Sequence, residues 1–308
     1  MYVKQGCLPE RWLASARRSL IMTQDIASRI NDAYPSFSKC QRMIANAIMA
    51  SPDKVAYMTA SKLGKMVGVS ESTVVRFAIE LGFEGYPEFQ RAVQEHVRVS
   101  LTPNQRIEVS NLRIGDKNVL DEVMNADVDK IKYTLEHLDR EAFSASVSEM
   151  LRARTIYVFG VRSSSFLASF LHFNLSLILD NVRLVTPTSS SEVFEQILDI
   201  DERDVMIAIS FPRYSKRIIN AVEYARSKKA DVVALTDSKI SPIASYADQL
   251  LIAQSDMASF VDSLVAPLSI INAMIVAVSR KKQDELTERL RTLEEVWDRY
   301  DVYDKKNG

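Results

Sequence analysis

TIYVFGVRSSSFLASFLHFNLSLILDNVRLVT, residues 155–186, decides the architecture of the larger part of this 308-residue chain. TIYVFG (155–160) and VRLVT (182–186) are short apolar strands, and LASFLHFNLSLILD (167–180) between them is a helix. The pattern continues downstream. DVMIAIS (204–210), DVVALT (231–236) and QLLIA (249–253) are further strands, with helical runs at 191–199, 215–229 and 241–247. Strands that are almost continuous Val, Ile and Leu are buried on both faces. Alternated with helices, they predict a doubly wound parallel sheet covered on both sides.

In such a sheet, ligands bind beyond the carboxyl ends of the strands. Two of those ends are rich in polar groups. GVRSSS (160–165) follows the first strand, and SFPRYS (210–215) follows the third. Free N–H groups at a helix start, joined by serine hydroxyls, suit a phosphate. The candidate anion-binding residues are Arg162, Ser163, Ser164, Ser165, Ser210, Arg213 and Ser215. Ordinary strand-to-helix turns with serine caps would give the same pattern.

Upstream, residues 36–97 contain helix signals only. Ile44, Ala45, Ile48 and Met49 mark a helix over Ser38 to Ser51. Thr59 caps a second helix through Val67, Ser70 a third through Leu81, and Pro87 opens a fourth. Gly68 is placed to take positive φ between the second and third. Val74, Phe77, Ala78 and Leu81 form the buried stripe of the third helix. Ser70, Ser72, Thr73 and Arg76 then lie in its N-terminal half, the part a recognition helix turns to base edges. Arg76 suits a bidentate contact to guanine, and Lys62 and Lys65 suit phosphate contacts. A plain helical bundle with a solvated polar face fits the same spacing, and Glu71 and Glu80 favour that alternative.

The formal charge of −1 hides an asymmetry: residues 1–113 carry 15 Lys/Arg and 10 Asp/Glu, and the remainder 24 and 30. The basic first third permits a nucleic-acid face. Cys7 and Cys40 fit no metal or redox spacing, which points to a reducing cytoplasm. The longest apolar segment, Phe260 to Ser279, contains Asp262, Pro267 and Asn272 and is read as a buried helix, with no membrane span. Residues 98–114 are polar and read as a linker, with a helix over Val119 to Leu138 behind it. Leu286, Leu290, Leu293 and Val296 mark a last amphipathic helix that packs on the domain or on a partner subunit.

LGKMVGVSESTVVRFAIELGFEGYPEF (63–89) resembles the helix-turn-helix segment of the RpiR family of bacterial transcription regulators, through GVS, STVVRF, LGF and GYPEF. The later part resembles the sugar isomerase (SIS) domain that follows it in that family. There, a G-x-G-x-S turn and an S-x-S-G-x-T/S loop hold the phosphate of a phosphosugar. The first aligns with Gly160 to Ser164, with Arg162 in place of Gly. The second aligns with Ser210 to Ser215, with Pro212 and Arg213 in place of Ser and Gly. TDSKISPIASYAD (236–248) also resembles the family. The resemblance implies a mixed fold: an all-α helix-turn-helix domain at 33–100 and an α/β SIS domain at 142–281. A leader spans 1–32, a linker and connecting helix 101–141, and a helix and tail 282–308. It implies a cytoplasmic homodimer or homotetramer that binds operator DNA and is modulated by a phosphorylated sugar or related anion.

The same fold also supports an enzyme, a sugar-phosphate isomerase with a fused helical module, which needs an acid/base pair near the sugar. His96 and His137 lie outside the sheet domain, His172 reads as a packed or rim residue, and Glu192 and Glu195 follow the second strand. No metal cluster, nucleophile triad or Walker loop appears, so neither a cofactor nor catalysis is expected.

Overall fold

A computed structural model of the chain describes residues 26–98, 102–115, 118–256 and 259–303. Cys7 and nearly all of the leader lie outside them. The chain divides into two compact units, Met1–Gly115 and Asp116–Gly308.

The first unit is helical: α1 (Ile26–Ala33), α2 (Lys39–Ala50), α3 (Pro52–Val55), α4 (Ala60–Val67), α5 (Glu71–Glu80), α6 (Tyr86–Arg98) and α7 (Pro103–Ile114). Its helices start where side chains satisfy the free N–H groups. Ser38 and Gln41 form a reciprocal capping box, and Thr59 accepts from the Lys62 N–H. Each such cap contributes about 1 kcal/mol. Two glycines bring α4 and α5 together. Gly68 ends α4 in the left-handed region at φ 74°, and a Cβ on Gly64 would lie 2.8 Å from the Val69 carbonyl oxygen. Any side chain there would push α5 away.

Leu63, Val74, Phe77 and Ala78 fill the core between these helices, and Phe77 packs on Phe37 and Phe89 at ring distances of 5.1 and 5.9 Å. The GYPEF segment is an anchor. Tyr86 Oη and Gln90 Nε2 donate to the Met58 carbonyl, and Gln94 Nε2 donates to that of Ala56. Burial pushes the Tyr86 phenol up to about 12, so it remains a donor at any physiological pH. The polar stretch 98–114 contains α7, where a linker was expected. Thr102 caps it, Gln105 closes a capping box and Pro103 occupies the first position. Those start signals outweigh the polar composition.

The second unit opens with α8 (Val119–His137) and α9 (Arg140–Arg152). It continues as β1 (Ile156–Gly160), α10 (Ser163–Ile178), β2 (Val182–Val185), α11 (Ser190–Gln196), β3 (Val205–Ile209), α12 (Lys216–Ser227), β4 (Asp231–Thr236), β5 (Gln249–Ile252), α13 (Val265–Lys281) and α14 (Gln283–Arg299). The five strands are all parallel in the order β2-β1-β3-β4-β5, with Val158 opposite Leu184 on one side and Ile207 on the other. Alternate residues divide between the faces. Ile156 and Val158 join the layer of α9, α10 and α13, and Tyr157 and Phe159 join the layer of α11 and α12. At the opposite edge from the strands' carboxyl ends, Asp204 is fully buried and takes hydrogen bonds from Arg154 and from the Asp201 N–H.

The predicted strands hold within a residue, but some helices differ. α9 has no counterpart among the sequence expectations. The helix expected at 241–247 is a single 3₁₀ turn, Ala244–Tyr246, since Pro242 removes a helical donor. α10 begins at Ser163, four residues ahead of expectation, so the serines belong to its first turn. On α14 only Leu286 packs on the core, and Leu290 and Val296 are exposed. Among the described residues, no helix is long and apolar enough to cross a membrane.

Candidate functional site

Two surfaces bring polar residues together, one in each unit. In the helical unit, Ser70 caps α5. Its hydroxyl accepts from the Thr73 N–H and lies 2.9 Å from Ser72 Oγ and 2.8 Å from Thr73 Oγ1. Ser70 thus builds the start of the helix, and Thr73 is half-buried against it. Ser72 and Arg76 are exposed one turn apart. Arg76 Nε donates to the Ser72 carbonyl at 3.4 Å, and no carboxylate pairs with the guanidinium among the described residues. Lys62 and Lys65 are exposed on α4. Glu80, at the far end of α5, accepts a hydrogen bond from Gln41 Nε2 and so ties α5 to α2. That leaves Glu71 as the acidic group at the outward end.

In the sheet unit, the carboxyl ends of β1, β2 and β3 open into a cleft of about 520 Å³. Gly160, Arg162, Ser165 and Ser169 line it from the first turn and α10, Thr186 and Pro187 from the end of β2, and Ser215 and Arg217 from the start of α12. Gly160 is required by a close approach. A Cβ there would overlap the Ser164 carbonyl oxygen and lie 2.8 Å from its carbon. Arg162 occupies a backbone conformation that favours glycine, φ 55° and ψ −129°. Its carbonyl accepts from the Ser165 N–H at 3.0 Å and from Ser165 Oγ at 2.6 Å, which fixes the turn.

Of the residues singled out from sequence, Arg162, Ser165 and Ser215 line the cleft. Ser163 and Arg213 are exposed outside its lining, and Ser164 and Ser210 are buried in the packing of the strand ends. The 210–215 loop is tied to the end of β4, since Tyr214 Oη donates to Asp237 Oδ1 at 2.9 Å. Ser169, Thr186 and Arg217 were missed. Arg217 Nε donates to Ser190 Oγ at 3.1 Å across the cleft wall. A signal for it existed: KR at 216–217 puts two cations in the first turn of a helix, where the dipole disfavours them.

The acid/base candidates lie elsewhere. Glu192 is the third residue of a capping box for α11, and its carboxylate accepts from the Thr188 hydroxyl, the Thr188 N–H and the Ser189 N–H. The Thr188 hydroxyl and then the backbone donors hold it below the usual carboxylate range, away from where a general acid is needed. Glu195 is exposed and His172 half-buried, and neither lines the cleft. His137 stacks on Tyr133 with ring centroids 3.9 Å apart. The His96 side chain lies outside those described.

Two family models match in tandem, a helix-turn-helix domain of the rpiR family over residues 24–99 and a SIS domain over 149–277. The chain belongs to the RpiR family of transcriptional regulators. Relatives of this RpiR-family chain include an uncharacterized HTH-type transcriptional regulator of Haemophilus influenzae, 27% identical over 230 residues (74% of this chain and 79% of the relative). The HTH-type transcriptional regulator HexR of Escherichia coli is 22% identical over 284 residues, 88% of this chain and 93% of HexR. Among solved structures, the sugar isomerase domain of an RpiR transcription factor from Sphaerobacter thermophilus is 25% identical. It covers 56% of this chain and 97% of its own, with a TM-score of 0.54. The Vibrio vulnificus NanR protein complexed with ManNAc-6P has the same two-part fold, with a TM-score of 0.55 and 22% identity over 89% of this chain and 98% of NanR. The helix pair α4–α5 lies within the segment that matches the rpiR-family helix-turn-helix domain, and the cleft lies within the segment that matches the SIS domain.

Proposed function

We propose that this RpiR-family regulator binds operator DNA through α5 and senses a phosphosugar in the cleft at the ends of β1, β2 and β3. Arg76 and Ser72 reach base edges and adjacent phosphates, with Lys62 and Lys65 as phosphate contacts. Ser70 and Thr73 serve by holding the start of α5 rigid, and through it the contact of the others. The cleft carries the effector part of the reading. Among the described residues its lining presents two guanidinium groups and four hydroxyls and has no carboxylate, histidine or lysine. That is chemistry for holding an anion, and it offers no general acid or base, which supports sensing over isomerisation. The NanR complex with ManNAc-6P, a protein of the same fold, is in keeping with it.

A regulator of this kind works in the cytoplasm as a homodimer or dimer of dimers, because symmetric operators need a symmetric protein. Phe166, Phe170 and Phe173 expose 75%, 40% and 65% of their surface along one side of α10, an apolar face suited to a second copy.

The test is binding of the full chain to the DNA upstream of its own gene at near-physiological salt, with and without sugar phosphates. Arg76→Ala is expected to weaken sequence-selective binding by about 1–3 kcal/mol. An effector is expected to shift operator affinity by about 1–3 kcal/mol. Wild-type chain that shows no sequence selectivity, or that turns over a sugar phosphate, sinks this reading.

A further inference from the structure

The cleft holds more positive charge than one phosphate needs, and the surplus sits at a position with a conformational cost. Arg162 is an L residue in a glycine-favouring conformation, with an exposed side chain. A side chain kept where glycine is more comfortable points to a role for that side chain. Arg217 enters from the next strand end, and its Nε donates to the Ser190 hydroxyl. Among the described residues no carboxylate pairs with either guanidinium, and none lines the cleft. The cleft also contains the first turns of α10 and α12, helices of 16 and 12 residues. Each helix start adds roughly half a positive charge. Two guanidinium groups and two helix starts amount to about three positive charges, against the roughly two negative charges of a phosphate monoester near neutral pH.

We infer that the effector is a phosphosugar bearing a second anionic group, held between Arg162 and Arg217. This rests on the phosphosugar reading of the cleft and narrows it. The second group is a carboxylate, as in a phosphorylated sugar acid, or a second phosphate. The guanidinium forks suit either one through paired hydrogen bonds.

The test compares dissociation constants of three probes for the full chain by calorimetry: glucose 6-phosphate, gluconate 6-phosphate and fructose 1,6-bisphosphate. At least one of the two doubly anionic probes is expected to bind about tenfold or more tightly than glucose 6-phosphate, the size of one charge-assisted contact. Preference for the gluconate identifies a carboxylate, and preference for the bisphosphate identifies a second phosphate. The ratio between the preferred probe and glucose 6-phosphate is expected to collapse in Arg162→Gly, whose new residue suits the backbone there, and in Arg217→Gln. Equal binding of all three probes overturns the inference and leaves the phosphosugar reading standing. A ratio unchanged in both variants, each with a wild-type melting temperature, overturns it as well. Binding of none of the three removes the phosphosugar reading and the inference together.

Discussion

The helical unit and the sheet unit present their polar residues in opposite ways. α5 carries Ser72 and Arg76 outward on one continuous helix, and its start is set within a few residues by the Ser70 cap, the Gly68 turn and the Gly64 contact, while Phe77 and Glu80 tie it to the rest of the unit. The cleft draws on three strand ends between residues 160 and 217, and neighbouring serines of one turn have different fates. Ser165 lines it and Ser164 is buried one residue away. A convex reading surface can be built by local rules, whereas a concave ligand site needs distant segments to converge.

The two units should therefore fail separately. Phe77→Ala empties the centre of the helical core and is expected to cost about 3–5 kcal/mol. Operator binding should be lost, while the melting transition of the sheet unit and its response to sugar phosphates persist. A single transition that falls as a whole, read by calorimetry, would break the comparison.

Gly160→Ala makes the converse test. The new methyl collides with the Ser164 carbonyl, so α10 must move, at about 1–3 kcal/mol for overpacking. The thermal shift produced by a sugar phosphate should disappear, and DNA binding of the ligand-free chain should be retained. Loss of DNA binding with an intact ligand shift would contradict the assignment of the cleft.

The smallest effect concerns Glu149 on α9, which is buried and accepts from Gln249 Nε2 at 2.8 Å. Burial, with the nearby Asp231 and Asp248 charges, raises its carboxyl above the usual value, against the bond from Gln249 and the charge of Arg152. A carboxyl raised in the folded state supports folding most below its unfolded value, and this support is lost as pH rises through the folded value. Glu149→Gln removes that loss. The variant should melt close to wild type near about pH 4 and above it near about pH 7. A gap that narrows with rising pH would show the sign to be wrong.

Much of this was legible in the sequence because local physics decides it. Continuous apolar runs predicted all five strands of the sheet, and Ser38, Thr59 and Ser70 marked the helix starts they cap. α7 lies where polar composition predicts a linker, and the capping chemistry of Thr102, Pro103 and Gln105 outweighs that composition. The start of α10 was missed because three consecutive serines suggest a loop, and only docking of the helix on β1 brings them into its first turn.

By itself, the sequence determined two kinds of unit, the cap and the stripe that orient Arg76, and the basic balance of residues 1–113. Hydrophobic periodicity and capping act over a few residues, and charge is a property of composition. Tertiary structure alone decided which polar residues share a cleft. Arg217, Thr186 and Ser169 join Arg162 because parallel pairing brings the ends of β2, β1 and β3 side by side. It also removed Ser164 and Ser210 from that surface, since space at a strand end is set by the packing of helix on sheet, to which no single segment of the chain contains the answer.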